Sequence, residues 1–146
     1  MTDITRSTLV NTVTEFIKSV LTENISGVDF WESELEKQAE SLPSAFFEVS
    51  VEYNNRVLNG TRMSLVPVTI DMTVKAKTLL ERDQTIDNII NVLSDETKTD
   101  ANGNSLKSKY LRFKSATVTT DSIYERGYNK LIRVGDITIN MVYYGA

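Results

Sequence analysis

The chain has 146 residues, of which 40% are hydrophobic and 25% charged, as expected for one soluble globular domain spanning residues 1–146. It contains no cysteine and no histidine, which excludes disulfides, thiolate nucleophiles and metal sites built on those ligands. The net charge is −4 and the 16 Lys and Arg are scattered, whereas binding through DNA phosphates needs a concentrated positive face.

No apolar run reaches the length of a membrane span, and the N-terminus lacks a secretory signal layout, so we expect synthesis in the cytoplasm.

The N-terminal part is predicted to form a helix. Its apolar residues recur with helical spacing, at Leu9, Val10, Val13, Phe16, Ile17, Val20 and Leu21. This pattern predicts a helix over about 5–22, begun by Asp3 or Thr5 and ended by Asn24 with Gly27.

The next segment, 28–42, is ambiguous. Phe30, Trp31 and Leu35 fit a short amphipathic helix, but 28–31 also fits a brief strand followed by a polar loop. Pro43 ends either structure, because it forces Leu42 toward an extended conformation. A strand follows up to Tyr53 with strict alternation, except that Phe46 places a large ring on the polar side.

A hairpin is predicted around Asn59-Gly60, because both central residues of a tight type I′ turn need positive φ. The return strand covers 63–74, with Val66, Val68, Ile70, Met72 and Val74 on one face. Pro67 cannot donate a ladder hydrogen bond, so the strand should be at an edge or bulged there.

A second helix is predicted from the spacing of Ile86, Ile89, Ile90 and Leu93, with Asp83 or Thr85 as its cap. Residues 94–109 then hold one large apolar residue, Leu106, which predicts a long polar loop that is mobile in an isolated subunit.

The C-terminal part predicts a final pair of strands. Alternating apolar residues between Tyr110 and Val118 indicate one strand, and 121–130 is predicted as its connection to the last strand. In the last strand the apolar phase changes at Gly135-Asp136, as one extra residue in a β-bulge would produce. Val142 and Tyr144 also make the second face apolar near the end, so this strand is expected to be covered on both sides.

The order α-β-β-β-α-β-β predicts an α+β domain, in which two helices pack on one face of a single, mostly antiparallel sheet.

Four pairs of acidic residues are candidates for acid–base catalysis. All of them lie on polar faces, at helix starts or in loops, which disfavours that role. Solvation and the helix dipole explain these pairs better than acid–base chemistry does. No nucleotide-binding or nucleophile motif occurs, so we expect no enzyme activity, no cofactor and no bound metal. The pairs are Glu32–Glu36, Asp83–Asp87, Asp95–Glu96 and Asp121–Glu125.

The order of aromatic and turn residues resembles a phage protein family. Phe30-Trp31, Gln38 and Pro43-Ser44-Ala45-Phe46-Phe47 come first, followed by residues 58–63 and the alternating strand 68–71. With the last strand at 137–144, this order resembles the tail terminator proteins of long-tailed, siphovirus-type bacteriophages. The chain departs from the family pattern at Ala39, where a glycine is expected, and at Ala45, which is inserted before the two phenylalanines. The resemblance favours a strand at 28–31.

The resemblance implies a structural virion protein. Such proteins form a ring, here expected to be a hexamer, that caps the head-proximal end of the tail tube, ends its polymerisation and joins the tail to the head connector. The implied partners are the tail-tube protein and the connector protein, and DNA passes through the lumen without specific binding. Acidic net charge suits such a lumen.

Two groups of residues are predicted to carry these contacts. The subunit interface is predicted at Phe46, Arg56, Arg62, Val142 and Tyr144, because buried aromatics commonly anchor interfaces. Docking onto the adjacent ring is predicted at Asp100, Asn102, Asn104, Lys107 and Lys109 in the long loop.

Three other functions remain open from the residues alone. The first is a head-closure or head–tail adaptor protein of the connector. The second is a small-ligand or nucleic-acid-binding α+β domain, whose stacking aromatics would have only Arg112 and Lys114 as basic neighbours. The third is an acid-dependent enzyme.

Overall fold

A computed structural model describes residues 6–32, 42–52, 57–58, 61–62, 65–127 and 130–145. The two helices are α1 (Arg6–Asn24) and α2 (Leu79–Ser94), and Lys107–Lys109 forms a short 3₁₀ helix. The strands are β1 (Asp29–Trp31), β2 (Ser44–Val51), β3 (Val57–Leu58), β4 (Thr61–Arg62), β5 (Val66–Ala76), β6 (Leu111–Gly127) and β7 (Lys130–Tyr143).

The main sheet has five strands in the order β1-β2-β5-β7-β6, and β3 and β4 pair as a separate two-stranded hairpin. Three of the four pairings in the main sheet are antiparallel, and β1 pairs with β2 in parallel. The α+β class with one sheet and two helices is therefore confirmed. The predicted order and antiparallel character match only in part, because the sheet is mixed and the β3–β4 hairpin is separate from it.

Both helices pack against one face of the sheet, here called the core face. Cross-strand partners on this face include Phe47 with Met72 and Ile70 with Ile139, and all four are buried. They join the buried stripes of α1 and α2 in one hydrophobic cluster. Because strand side chains alternate, residues of the other phase form a second face of the sheet.

Helix α1 begins by Arg6 and ends at Asn24, two residues later than predicted. The Asn24 Nδ2 donates to the Val20 carbonyl at 2.8 Å, and Gly27 has φ +79°, a left-handed conformation that glycine adopts without strain. The proposed caps Asp3 and Thr5 lie outside the described residues. No helix in the described ranges is long and apolar enough to cross a membrane.

Helix α2 begins earlier than predicted, with Thr78 as its N-cap rather than Asp83 or Thr85. The Thr78 hydroxyl accepts from the Glu81 N–H at 3.1 Å, while the Glu81 carboxylate accepts from the Lys77 N–H at 3.1 Å. This reciprocal capping satisfies two backbone donors at the helix start. Thr85 lies inside the helix, where its hydroxyl donates to the Glu81 carbonyl at 2.7 Å.

The hairpin prediction is confirmed in its pairing, because β3 and β4 are antiparallel and separated by residues 59–60. Pro67 lies near the start of β5, which is an inner strand rather than an edge. Its carbonyl accepts from the Glu52 N–H at 3.0 Å, just beyond the end of β2 at Val51. The backbone N and O of one residue point to the same side of a strand, so the Pro67 nitrogen, which carries no hydrogen, also points toward β2. At that position β2 has already ended.

The predicted bulge at Gly135-Asp136 is wrong, because β5 and β7 pair without interruption from Val66↔Tyr143 to Ala76↔Arg133. The register shifts lie in β6, between Phe113 and Ser115 and between Thr120 and Tyr124. Gly135 interrupts the apolar phase because α2 approaches closely: an added Cβ would lie 2.8 Å from Ile86 Cδ1. The residues predicted as a connection, 121–130, mostly extend the β6–β7 hairpin beyond β5.

Candidate interaction surfaces

The second face of the sheet carries polar and acidic side chains in its middle. Glu48, Asp71 and Asp136 are exposed there, on three neighbouring strands. Glu48 lies directly opposite Asp71 in the β2–β5 register, a like-charge neighbour that is unfavourable in an isolated sheet. Threonines compensate in part, because Thr138 donates to Asp71 at 3.2 Å and Thr73 donates to Asp136 at 3.0 Å.

These acids line a shallow cleft of about 460 Å³ across β2, β5 and β7, with Glu32 at its margin. A group of carboxylates on one surface attracts cationic groups and repels phosphates. The cleft contains no histidine or cysteine to transfer protons or bind soft metals, since the chain has none.

The second face is buried at the end where β2 begins. Phe46 lies on this face, as predicted, but only 5% of it is exposed, and the Lys75 ammonium lies 5.3 Å from its ring centroid. Lys75 itself is 2% exposed, and Ser44 and Ile132 are fully buried. The Phe46 ring therefore packs within its own chain and does not present a free surface to a neighbour.

The opposite end of the sheet carries three tyrosines and an arginine. This group is here called the tyrosine corner, without reference to the Greek-key motif of the same name, and consists of Tyr110, Arg112, Tyr143 and Tyr144. Tyr110 is 53% exposed and contacts Tyr143 and Tyr144 edge to face, with ring centroids 6.5 and 5.8 Å apart. The Arg112 guanidinium lies 5.9 Å from the Tyr144 ring centroid. Burial raises the pKa of the Tyr143 hydroxyl, and nearby Tyr110 raises it further.

The backbone holds the tyrosine corner in place. Tyr110 adopts a left-handed conformation, φ 57°, at the end of the 3₁₀ helix, and its carbonyl accepts from the Tyr144 N–H at 2.9 Å. The Tyr144 hydroxyl reaches the Lys107 carbonyl at 3.4 Å. An exposed ring fixed in this way loses little freedom on binding, which suits an interface anchor.

The long loop between α2 and β6 has a hydrogen-bonded structure of its own. Thr99 and Ser105 form a β-bridge, and one Asp100 carboxylate oxygen accepts from the N–H groups of Asn102 and Asn104 at 2.9 and 2.8 Å. Leu106 is 2% exposed and belongs to the core cluster. The Asn24 side chain donates to the Thr99 carbonyl at 2.8 Å, which ties the loop to α1.

The predicted docking residues therefore differ in what they can offer a partner. Asp100 is 7% exposed and its carboxylate is used inside the loop, so it does not project toward another ring. Asn102 and Lys107 are exposed, and Asn104 and Lys109 are half-buried.

The predicted interface residues are not brought together. Val142 is half-buried on the second face, where its register partners are Pro67 and Arg112, next to the tyrosine corner. Phe46 lies toward the other end of the sheet. Arg56 lies outside the described residues, and for Arg62 only the backbone position in β4 is described. The covered part of β7 on this face is at Ile132 rather than at Val142, contrary to expectation.

The acid pairs proposed as chemical groups show local structural roles. Asp83 accepts from the buried Arg82 at 3.0 Å, and Glu32 lies 3.8 Å from Lys18. Hydrogen bonds from the Thr97 hydroxyl and N–H lower the pKa of Asp95. Glu36 lies outside the described residues, as do the side chains of Asp121 and Glu125.

Within the described ranges Tyr110 is an exposed aromatic, which the sequence placed at the start of a strand but not among the predicted interface residues. Its position between Lys109 and Leu111 gave no sign of a left-handed backbone. The available signal was a basic pair, Lys107 and Lys109, next to a tyrosine at the start of a strand.

No protein-family model matches the chain, and no curated protein matches it at the level of significance required.

Proposed function

We propose that the protein is a structural virion assembly protein: a tail terminator of a siphovirus-type bacteriophage that forms a ring, expected to be a hexamer. In this proposal it caps the head-proximal end of the tail tube, stops polymerisation of the tube and joins it to the head connector. It is made in the host cytoplasm and incorporated into the virion, and it has no enzymatic role.

The observation that carries the proposal is the strand at Asp29–Trp31. Propensity alone left this segment open between helix and strand, and the resemblance to tail terminators favoured a strand. The order of elements after it agrees with the resemblance in part: a strand with two phenylalanines, a hairpin, a helix and a final hairpin follow in the chain.

The described surfaces support an assembly role over a reaction. The tyrosine corner offers a rigid exposed ring beside basic side chains, and the acidic cleft offers carboxylates on the second face of the sheet. A head-to-tail contact between two different surfaces generates a closed ring when the rotation closes. Acidic side chains facing a lumen would let DNA pass without sticking.

The test combines the purified chain with the tail-tube protein of its own phage. We expect light scattering to show a ring of subunits when the two are mixed, and electron microscopy to show tubes capped at one end and shorter than tubes grown alone. A tube protein from an unrelated phage is the control. If tube lengths stay unchanged over a range of added protein, the terminator role is refuted.

The second candidate is a head-closure or head–tail adaptor protein, a neighbouring ring of similar size. Lys107 and Lys109, which precede Tyr110 in the chain, suit docking onto either ring. The two candidates separate on binding: an adaptor would bind connector particles and leave the growth of the tail tube unaffected.

A further inference from the structure

The outer edge of β6 is an open strand edge. It ends the sheet order, and within the described ranges no strand pairs with it on that side. Alternate N–H and C=O groups along such an edge point away from the sheet and can accept another strand. From residue 114 to residue 120 all side chains are exposed except Ala116, which is half-buried.

Two irregularities bracket a regular segment of this edge. The register shifts lie between Phe113 and Ser115 and between Thr120 and Tyr124, so residues 115–120 pair with β7 without interruption. Natural edges are commonly protected by charged residues, proline or bulges. The bracketed segment, Ser-Ala-Thr-Val-Thr-Thr, contains no charge and no proline, and four of its six residues are β-branched.

The side chains of the segment define what could pair with it. Ala116 and Val118 lie on the core face, and Val118 is 42% exposed. Ser115, Thr117 and Thr119 lie on the second face and are exposed. A strand added at this edge would cover Val118 if it had small apolar residues on one side, and it would match the hydroxyls with polar residues on the other. The segment 115–120 itself has this pattern.

We propose that β6 is a self-pairing edge, at which the free protein forms a two-fold dimer by antiparallel pairing of residues 115–119 with the same residues of a second copy. Directly opposite residues of an antiparallel pair point to the same face. The pairing therefore sets Thr117 opposite Thr117 of the second copy, and Ala116 opposite Val118. The contact is isologous, so it closes with two copies. It goes beyond the proposed function, because it does not require a ring.

The test places charges at the two-fold axis. Thr117→Lys sets two like charges opposite each other, and so does Thr117→Glu. We expect the wild type to dimerise reversibly in sedimentation velocity, and each variant alone to weaken the dimer by about tenfold or more. An equimolar mixture of the two variants should dimerise again, because opposite charges then face each other. Ser50→Lys and Ser50→Glu, exposed on the same face but away from this edge, should leave the dimer unchanged.

Several results would overturn the proposal. A wild-type protein that stays monomeric at the highest concentration reached would reject it, as would Thr117 variants that dimerise like the wild type. Loss of the dimer in both variants without recovery in the mixture would reject the two-fold pairing. Circular dichroism of each variant identifies any loss of fold. In that case Ser115→Lys with Thr119→Lys in one chain repeats the test, because residue 115 lies opposite residue 119 of the second copy, and Ser115→Lys with Thr119→Glu should restore the dimer. Tube capping is measured separately, so failure of the ring and failure of the dimer are distinguishable.

Discussion

Phe46 and Lys75 show how one side chain decides the role of another. The Phe46 ring lies outside the main hydrophobic cluster, yet Lys75 covers it and only 5% of it is exposed. An ammonium at this distance from a ring is stabilised by the ring quadrupole, and the lysine stem adds apolar contact. Phe46 is therefore expected to contribute to the stability of the subunit.

We expect Phe46→Ala to lower the free energy of unfolding by about 3 kcal/mol, because it removes a buried ring. Phe46→Leu should lower it by roughly 1 kcal/mol, since it keeps most of the volume and loses the cation–π contact. Urea unfolding measures both variants. If Phe46→Ala unfolds like the wild type but no longer assembles into a ring of subunits, the Phe46 side chain contacts a neighbouring subunit, as the sequence predicted.

Tyr143 links the stability of the tyrosine corner to alkaline pH. Its pKa in the folded protein is raised above the ordinary value of 10.0, mainly by burial. The folded state therefore favours the neutral hydroxyl. The stability from this preference is complete below pH 10 and is lost as the pH rises through the folded pKa.

We expect the wild type to lose stability above pH 10 more steeply than Tyr143→Phe, which cannot ionise there. Tyr110→Phe is the control, because it removes the smaller cause of the shift and should keep most of the slope. Thermal unfolding followed from pH 8 to pH 11 measures the difference. Equal slopes for the wild type and Tyr143→Phe would show that Tyr143 does not set the alkaline limit.

At the scale of elements, hydrophobic periodicity was enough where an element has one buried face. It located α1, β2, β5 and the buried stripe of α2 from residues such as Val13, Val49 and Ile89. It missed the true start of α2, because the capping pair Thr78 and Glu81 precedes the apolar stripe. Local chemistry, rather than periodicity, fixes that boundary.

Other features could not be predicted because distant residues set them. The parallel pairing of β1 with β2 depends on tertiary register, which a three-residue strand does not encode. Most of the 121–130 segment lacks apolar alternation, so its extended hairpin looked like a connection. For the candidate site, Phe46 and Tyr110 are both aromatics whose neighbours two positions away in the sequence are polar. Only the position of Lys75 and the left-handed backbone at Tyr110 separate the buried ring from the exposed one.

The loop between α2 and β6 is predicted to depend on Asp100. We expect Asp100→Ala to destabilise the protein by about 2 kcal/mol, because it leaves the N–H groups of Asn102 and Asn104 without their acceptor. Asp100→Asn keeps an acceptor oxygen and should cost less. Urea unfolding gives the totals, and faster amide exchange at Asn102 and Asn104 would locate the effect.

Asp95→Ala is the matched control for this loop, since Asp95 also accepts from a residue two positions later but is better exposed than Asp100. Asp95→Ala should lower the free energy of unfolding less than Asp100→Ala does. The difference between Asp95→Ala and the wild type should shrink as the pH falls through the lowered pKa of Asp95, because the carboxylate then protonates. If both substitutions cost the same, burial of Asp100 does not matter and the loop is held mainly by Leu106.

At the scale of the whole molecule, the proposed docking charges can be tested without disturbing the fold. Lys107→Glu with Lys109→Glu reverses two charges beside the tyrosine corner. We expect this double variant to unfold like the wild type but to cap tail tubes about tenfold less effectively, because charges at the rim of an interface mainly steer association. Tube length distributions by electron microscopy measure the effect.

Lys77→Glu with Lys98→Glu is the matched control, with the same change of net charge at two exposed positions. It should leave capping unchanged. Equal loss in both double variants would mean that net charge alone matters, and that residues 107–109 have no special part in docking.

The position of β7 in the sheet has a consequence for how the chain is made. It is the last element in the sequence, yet it lies between β5 and β6 and supplies partners to both. A nascent chain therefore lacks an inner strand of its sheet until β7 has been synthesised, and β5 remains exposed along one side until then. The sheet should form only after β7 has left the ribosome, and chains that stop before β7 should be recognised by chaperones and degraded.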